Sequence, residues 1–366
     1  MNKMILANLT YRPIRSLVTI LAVAIEVTLI LLIVGLALGI LDDSRHRQAG
    51  IGADLWVRPP NASMFTAFST ASMSEKLGDR LRKQDHVVAV SPVVYQVTSS
   101  NSLEMLNGID TETFQQVGGP LRFLKGGPFQ GPYDMIVDEI YASANRLNPG
   151  STVYVLNHNF RVSGVIFSGR GSRRYVPLKT LQDLIGAEGK ASAFYVKLDD
   201  PSQAEAVAEN FRNLAPSYSI VTLKEWLSMM TTEHVPGLAT FIKVVIGIAL
   251  VIGFIVIFQA MYTSVLERTR EIGILKSLGA SKIYIVQVVL REALVLALAG
   301  IFAGTIISTV GRFGIVHQFP SLSILPISWN WAMNASVIAI TGAMLGAIYP
   351  AYKAARKDPI DALAYE

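Results

Sequence analysis

Four apolar stretches, each about 20 residues or longer, constrain this chain more than any other feature. They are Leu17 to Leu41, Phe241 to Leu266, Ala293 to Gly311 and Trp331 to Tyr352, the third extended by a helix entering from Ile283. At 1.5 Å of rise per residue, each can cross ~30 Å of hydrocarbon as a helix. Composition agrees, with 51% of 366 residues apolar and 16% charged. A mean hydropathy of +0.41 is also outside the ordinary range of soluble domains. The first run is too long for a signal-peptide core and lacks a small-x-small cleavage site, so it reads as a retained helix.

Basic residues near the helix ends orient the chain. Lys3, Arg12 and Arg15, then Arg268, Arg270, Lys276 and Lys282, then Lys353, Arg356 and Lys357 fall on one side. The loop between helices three and four, roughly 312–330, has only Arg312. Both termini and residues 267–281 are therefore expected in the cytoplasm of a multi-pass inner-membrane protein. The expected fold class is an α-helical membrane protein of four transmembrane helices with a large mixed α/β extracytoplasmic domain between helices 1 and 2. Residues 1–41 form the N-terminal segment and first helix, 42–240 the external (periplasmic) domain, and 241–366 helices two to four. The last part includes a short charged helix at about 268–279 and a short C-terminal helix begun by Asp358 and Pro359.

Within the external domain, "HVVAVSPVVYQVTSS" from His86 is β-branched and interrupted by Pro92, which predicts two short strands. "TVYVLNHNFRVSGVIF", Thr152 to Phe167, predicts a hairpin around "NHN". Ala206, Val207, Phe211 and Leu214 recur at helical spacing within Asp199 to Pro216. "SYSIVTLKEWLSMM" predicts a strand followed by a helix. "SGRGSRRY", Ser168 to Tyr175, is a basic cluster in a glycine-rich turn. It could meet anionic lipid or substrate, but reads as a solvated loop.

No catalytic constellation or metal site is expected, and the chain does not read as an enzyme. Cysteine is absent, and the five histidines have no metal-ligand spacing. "GAEGKAS", Gly186 to Ser192, lacks the phosphate-loop spacing and has Ala191 where Ser or Thr would hold magnesium. The net charge of +5 is modest, and no nucleic-acid partner is expected. Glu26 lies inside the first span, where a carboxylate costs several kcal/mol unless neutral or paired. It is either a contact at a helix interface or water-filled cavity, or a protonated or snorkelling group. Gly35 with Gly39, Gly300 with Gly304, and Gly342 with Gly346 have the spacing that lets helices pack closely, within the chain or between chains.

The charged stretch "ERTREIGILKSLGAS", Glu267 to Ser281, interrupts this apolar half. Ile272, Leu275 and Leu278, joined by Ile274, predict a short amphipathic helix with a narrow apolar face. Gly279 fits the left-handed residue that ends a helix, and Ser281 can cap the next one. The result is a cytoplasmic elbow suited to docking.

These residues resemble a known family. "ERTREIGILKSLGASKIYIVQVVLREA" resembles the segment between helices two and three of MacB-type (FtsX-like, type VII) ABC transporter permeases. "PAYKAARKDPIDALAYE" is similar to that family's C-terminal signature, "LTYRPIRSLVTILAVAIEV" to its first helix, and "GADLWV" and "VDEIYASANRLNPGSTVYV" to its external domain. One departure is Glu26, where the family usually has a small residue. The resemblance implies a non-catalytic subunit whose elbow docks on a separate cytoplasmic ABC ATPase, which binds ATP and Mg. Glu267, Arg268, Arg270, Glu271, Ile274, Lys276, Leu278 and Gly279 are the implied coupling residues. It also implies a second permease copy in a homo- or heterodimer, a periplasmic adaptor as a further partner, and stalk-like extensions of helices one and two. Those extensions would relay ATPase closure to the external domain, for export or extraction on the outer side. The other reading is an FtsX-like signalling protein regulating cell-wall hydrolases.

Overall fold

A computed structural model describes residues 13–60, 72–99, 103–235, 237–319 and 324–357. Lys3, Arg12, Asp358, Pro359 and the expected C-terminal helix lie outside the described residues. The chain divides into a membrane unit and an extramembrane unit. The first comprises residues up to Gly39, Gly237–Gln318 and the chain from Ile324; the second is built on Ile40–Pro236.

Among the described residues four helices are long and apolar enough to cross a membrane: Pro13–Ala49, Leu238–Glu267, Lys282–Gln318 and Trp329–Arg356. We call them the first to fourth spans. Their shared core joins Val23, Val27, Ile30 and Val34 of the first span to Ala293, Leu296 and Ala297 of the third. Ala335, Ala339, Ala343, Ala347 and Ala351, at four-residue spacing on the fourth span, complete it. Small residues set how closely the backbones approach. A Cβ on Gly300 would lie 2.5 Å from the Val23 Cβ, and one on Gly304 2.6 Å from the Ala24 carbonyl oxygen. One on Gly346 would lie 2.6 Å from the Phe254 carbonyl oxygen, with Gly342 beside Leu250. Both pairs therefore pack helices within the chain. Gly35 instead faces Ile324 just before the fourth span, and its carbonyl accepts the Leu325 N–H at 3.1 Å. Gly39 is buried on the same helix. Arg312 is also not in a loop. The third span continues past it, and its Nε donates to the Ile324 carbonyl at 3.0 Å.

The extramembrane unit contains strands β1 (Leu55–Arg58), β2 (Met73–Ser74), β3 (Val87–Ser99), β4 (Leu103–Ile109), β5 (Phe123–Gly126) and β6 (Asp134–Asp138). They are followed by β7 (Thr152–Val155), β8 (His158–Ile166), β9 (Arg174–Pro177), β10 (Lys190–Ala191), β11 (Ala193–Leu198) and β12 (Ser219–Thr222). Its helices are α1 (Lys76–Arg82), α2 (Thr111–Gly118), α3 (Glu139–Asn145), α4 (Leu178–Ile185), α5 (Ala204–Leu214) and α6 (Leu223–Met229). One ten-stranded mixed sheet runs β12-β1-β11-β3-β4-β9-β6-β8-β5, with β7 paired to β8. Ile51, Trp56, Phe114, Tyr175, Tyr195 and Trp226 belong to one of its buried cores.

Several expectations change here. The segment around Pro92 is one strand of 13 residues, not two. Pro92 pairs with Phe194 of β11, while the β4 ladder begins at Val93, so the missing N–H falls outside that ladder. The hairpin turns at Leu156 and Asn157, both with positive φ, before "HNF" enters β8. That is the geometry of a two-residue turn matched to strand twist. Helix α5 buries Val207, Ala208 and Phe211, leaving Ala206 exposed and Leu214 largely so. The expected β12–α6 pair forms, with Thr222 and Glu225 making a reciprocal capping box.

The largest correction concerns "SGRGSRRY". It is not a solvated loop, because Ser172, Arg174 and Tyr175 are almost fully buried. Arg174 pairs with Glu104 at 3.1 Å and donates to Thr98 at 2.7 Å. Arg173 sits between Asp43 at 3.0 Å and Asp138 at 3.5 Å. Burial pushes the Asp138 carboxyl up to about 6, opposed by the Tyr141 N–H and by Arg173. A cluster of three arginines near one another in sequence reads as solvated until their carboxylates and carbonyls arrive from other elements.

Candidate functional site

The second span ends at Glu267, Arg268 departs from helical geometry, and a separate helix runs Thr269–Ser277. The Gly279 N–H donates to the Lys276 carbonyl and the Ala280 N–H to the Leu275 carbonyl, both at 3.0 Å. This paired pattern closes a helix around a left-handed residue, and Gly279 has φ +96°. Ser281 Oγ then accepts the Tyr284 N–H at 3.2 Å and caps the third span. The elbow is short because its sequence stops and restarts the helix within five residues.

Its apolar residues do not share one face. Successive helical residues turn by about 100°, so Ile272 and Ile274 point some 160° apart. Ile272 is buried in the bundle core, with Leu275 packed against that core. Ile274 and Leu278 face outward, 43% and 79% exposed. Arg270 and Glu271 flank them and are also exposed. The outward face therefore combines two aliphatic side chains with one charge of each sign.

Three further expected residues make contacts within the chain. Glu267 pairs with Arg15 of the first span. Arg268 pairs with Glu292 of the third span at 3.1 Å, both largely buried, and Ser264 Oγ reaches the same carboxylate at 3.5 Å. Lys276 Nζ donates to the carbonyls of Ala355, at 3.0 Å, and Lys357. A cation there meets the unpaired carbonyls and negative dipole end of the fourth span. Glu267, Arg268 and Lys276 thus tie the elbow to three spans, while Arg270, Glu271, Ile274 and Leu278 face outward. Glu292 and Ser264 were passed over in the sequence. An acid within "VVLREALVL" carries the same signal as Glu26.

Glu26 is 3% exposed and lies at an interface between the first and second spans. Its carboxylate occupies the space above Gly253, where a Cβ would fall 2.1 Å from Oε2, and Oε1 has no hydrogen-bond partner among the described residues. The side chain is buried, not snorkelled. Gly253→Val should therefore displace the carboxylate and destabilise the bundle by about 1–3 kcal/mol through overpacking. Thermal unfolding in detergent reads this, and adding Glu26→Ala should restore the lost stability. An unchanged melting point for Gly253→Val would sink the contact. Thr28 Oγ1, two residues on, donates to the Gly304 carbonyl at 3.1 Å and reinforces the first-to-third span contact.

A family model described as the MacB-like periplasmic core domain matches residues 16–214, and one described as the FtsX-like permease C-terminal matches residues 243–359. The chain belongs to the MacB/FtsX-like ABC transporter permease family. Neither matched segment of this permease is an ATPase domain. It is 26% identical to the uncharacterized ABC transporter permease YknZ of Bacillus subtilis, covering 100% of this chain and 98% of that one. It is also 26% identical to the macrolide export ATP-binding/permease protein MacB of Aggregatibacter actinomycetemcomitans, over 100% of this chain and 61% of that protein. The permease thus spans about three fifths of that relative's length. The crystal structure of the periplasmic region of MacB from Actinobacillus actinomycetemcomitans aligns with 21% identity and a TM-score of 0.39. That alignment covers 50% of this chain and 94% of that one. Family membership implies an ATPase partner and dimerisation, and the permease is a multi-pass membrane protein.

Proposed function

We propose that this chain is the non-catalytic permease subunit of a MacB/FtsX-type ABC transporter, working as a dimer in the bacterial inner membrane. Both termini and the elbow face the cytoplasm, as the distribution of Lys and Arg supports. A separate ATPase, carrying ATP and Mg, docks on Arg270, Glu271, Ile274 and Leu278. Closure of two ATPase subunits then moves the spans and, through them, the extramembrane domain, so that a substrate is exported or extracted on the outer side. A periplasmic adaptor is a further partner in this reading.

The observation that carries the proposal is the division of labour within the elbow. Its inward side is pinned to three spans, so a push on its outward side moves the bundle as a body. Its outward side keeps Leu278 79% exposed beside fixed charges, a composition suited to a protein groove. The test is co-expression with a candidate ABC ATPase subunit, reconstitution in nanodiscs and measurement of ATP hydrolysis. Stimulation by a lipoprotein, peptide or amphiphile supports transport. Stimulation only by a cell-wall hydrolase supports signalling, and failure to form a complex overturns the docking assignment.

A further inference from the structure

The last two turns of the fourth span, "YPAYKAAR", divide between two faces. Pro350, Ala351, Ala354 and Ala355 are buried in the bundle. Tyr349, Tyr352, Lys353 and Arg356 follow one another at i, i+3, i+4 and i+7, the spacing of a single helix face. Lys353 is half-buried and the other three are exposed. On the second span Phe254, Phe258 and Tyr262 recur every fourth residue, and their rings stack in a column with centroids 6.0 and 5.8 Å apart. Tyr349 joins that column from the fourth span, 5.9 Å from Phe258. The two spans approach this closely because Gly346 places no Cβ between them, where one would lie 2.6 Å from the Phe254 carbonyl oxygen. Their seam therefore carries an aromatic strip about 12 Å long at the helical rise.

Two cations close one end of the strip. Lys353 Nζ donates to the Tyr262 hydroxyl at 2.8 Å and lies 4.6 Å from the centre of the same ring. Arg356 Nη1 donates to the Tyr352 hydroxyl at 2.7 Å, with its guanidinium 5.2 Å from that ring's centre. A phenol holds a cation in place without neutralising it. Among the described residues neither cation pairs with a carboxylate. Other cations at this end of the bundle are satisfied within the chain. Arg15 meets Glu267, Arg268 meets Glu292, and Lys276 caps carbonyls at the end of the fourth span. Lys353 and Arg356 each use one N–H on a tyrosine and keep further donors for another acceptor.

Depth decides what that acceptor is. Lys353 lies in the last turn of the fourth span and Tyr262 within the last two turns of the second. Tyrosines and basic side chains at the ends of membrane helices lie at headgroup level. We propose that this seam binds a phospholipid of net negative charge. Its phosphate is held by Lys353, Arg356 and the hydroxyls of Tyr262 and Tyr352, and an acyl chain covers the aromatic strip. A zwitterionic headgroup would bring its own ammonium against two unneutralised cations, so charge sets the preference. The strip argues for a lipid over free phosphate, which has no chain to cover it. The orientation proposed above puts this lipid in the cytoplasmic leaflet. The site itself depends on neither the ATPase nor transport, so its failure would leave the permease reading untouched.

The full-length permease in nanodiscs of phosphatidylglycerol and phosphatidylethanolamine in equal amounts tests it. Native mass spectrometry counts the lipids retained on release, and melting is followed in detergent with either lipid added. Wild type should retain phosphatidylglycerol about tenfold over phosphatidylethanolamine, and only the former should raise the melting temperature. Lys353→Gln with Arg356→Gln should bring the retention ratio to about one. Tyr262→Phe keeps the ring but loses the hydroxyl, and should lower the ratio about threefold. Lys282→Gln removes an exposed cation at the start of the third span and should leave the ratio unchanged. Glycerol 3-phosphate, a headgroup without chains, should not displace the lipid. If the double variant does not fold, Arg356→Gln alone, at an exposed position, reads the same loss. Equal retention of both lipids by wild type, or selectivity that survives the double variant, overturns the site. Displacement by glycerol 3-phosphate overturns the lipid assignment in favour of a free phosphate. A double variant that loses its dimer mass, where wild type shows no lipid preference, gives the seam to a contact between two copies and also overturns the proposal.

Discussion

Leu278→Asp should strip the ATPase from the permease while leaving the permease itself folded. In the free chain Leu278 is 79% exposed, so its replacement costs the bundle almost nothing. In a docked complex the leucine would lose its water, a transfer worth about 1.5–3 kcal/mol. Aspartate forfeits that term and adds the cost of desolvating an unpaired carboxylate. A combined loss of about 4 kcal/mol would weaken binding roughly a thousandfold. The measurement is co-purification of the ATPase from membranes, with the far-ultraviolet spectrum and melting point of the permease as controls. Glu271→Lys, which reverses one charge on the same face, should also abolish capture. Retention of the ATPase at wild-type stoichiometry by both variants would remove the elbow's outward face as its docking site.

Glu292→Ala should act from inside the bundle. It takes away the carboxylate that Arg268 meets at 3.1 Å, where the two side chains are 8% and 14% exposed. Breaking one half of a buried ion pair costs about 3–5 kcal/mol, because the remaining charge stays desolvated. The variant should melt well below wild type and bind the ATPase weakly, since the elbow leaves the second span at Arg268. An apolar pair, Arg268→Met with Glu292→Leu, separates these effects. Such replacements often recover stability, so this variant should fold normally yet still misplace the elbow and lose coupled hydrolysis. Full coupling in the apolar pair would show that the salt bridge serves stability alone.

Glu292 also illustrates what could be read in advance. The four spans were legible because hydrophobic length is a local property, and the observed helices contain every apolar run. The elbow's ends were equally legible, because Gly279 and Ser281 act on backbone groups one to five residues away. The elbow's inner and outer sides were not. Treating Ile272, Ile274, Leu275 and Leu278 as one face overlooked the 160° between the first two, and only the packed bundle shows which side is covered. Pro92 misled for a related reason. Proline breaks a strand only where its missing N–H is needed, and that depends on where the neighbouring strand begins.

The glycine pairs divide in the same way. Their spacing announced close packing, but the partner of each lies elsewhere in the chain. Gly300 and Gly304 admit the first span, Gly342 and Gly346 the second, and Gly35 the residues before the fourth. Gly253 drew no attention in the sequence, since a single glycine in an apolar helix is ordinary. It became informative only beside Glu26.

The sequence by itself determined the four membrane helices, the size of the domain between the first two, and the short elbow with its caps. Each follows from hydrophobic length or from backbone groups a few residues apart. Tertiary structure alone decided which charges are spent and which are free. Glu267, Arg268 and Lys276 are taken up by the spans, Arg270 and Glu271 are left outward, and the arginines of "SGRGSRRY" turn onto carboxylates and carbonyls supplied by other elements. The reason is electrostatic. A charge in isolation reads as solvated, and only the partners that folding brings within about 3 Å can make its burial tolerable.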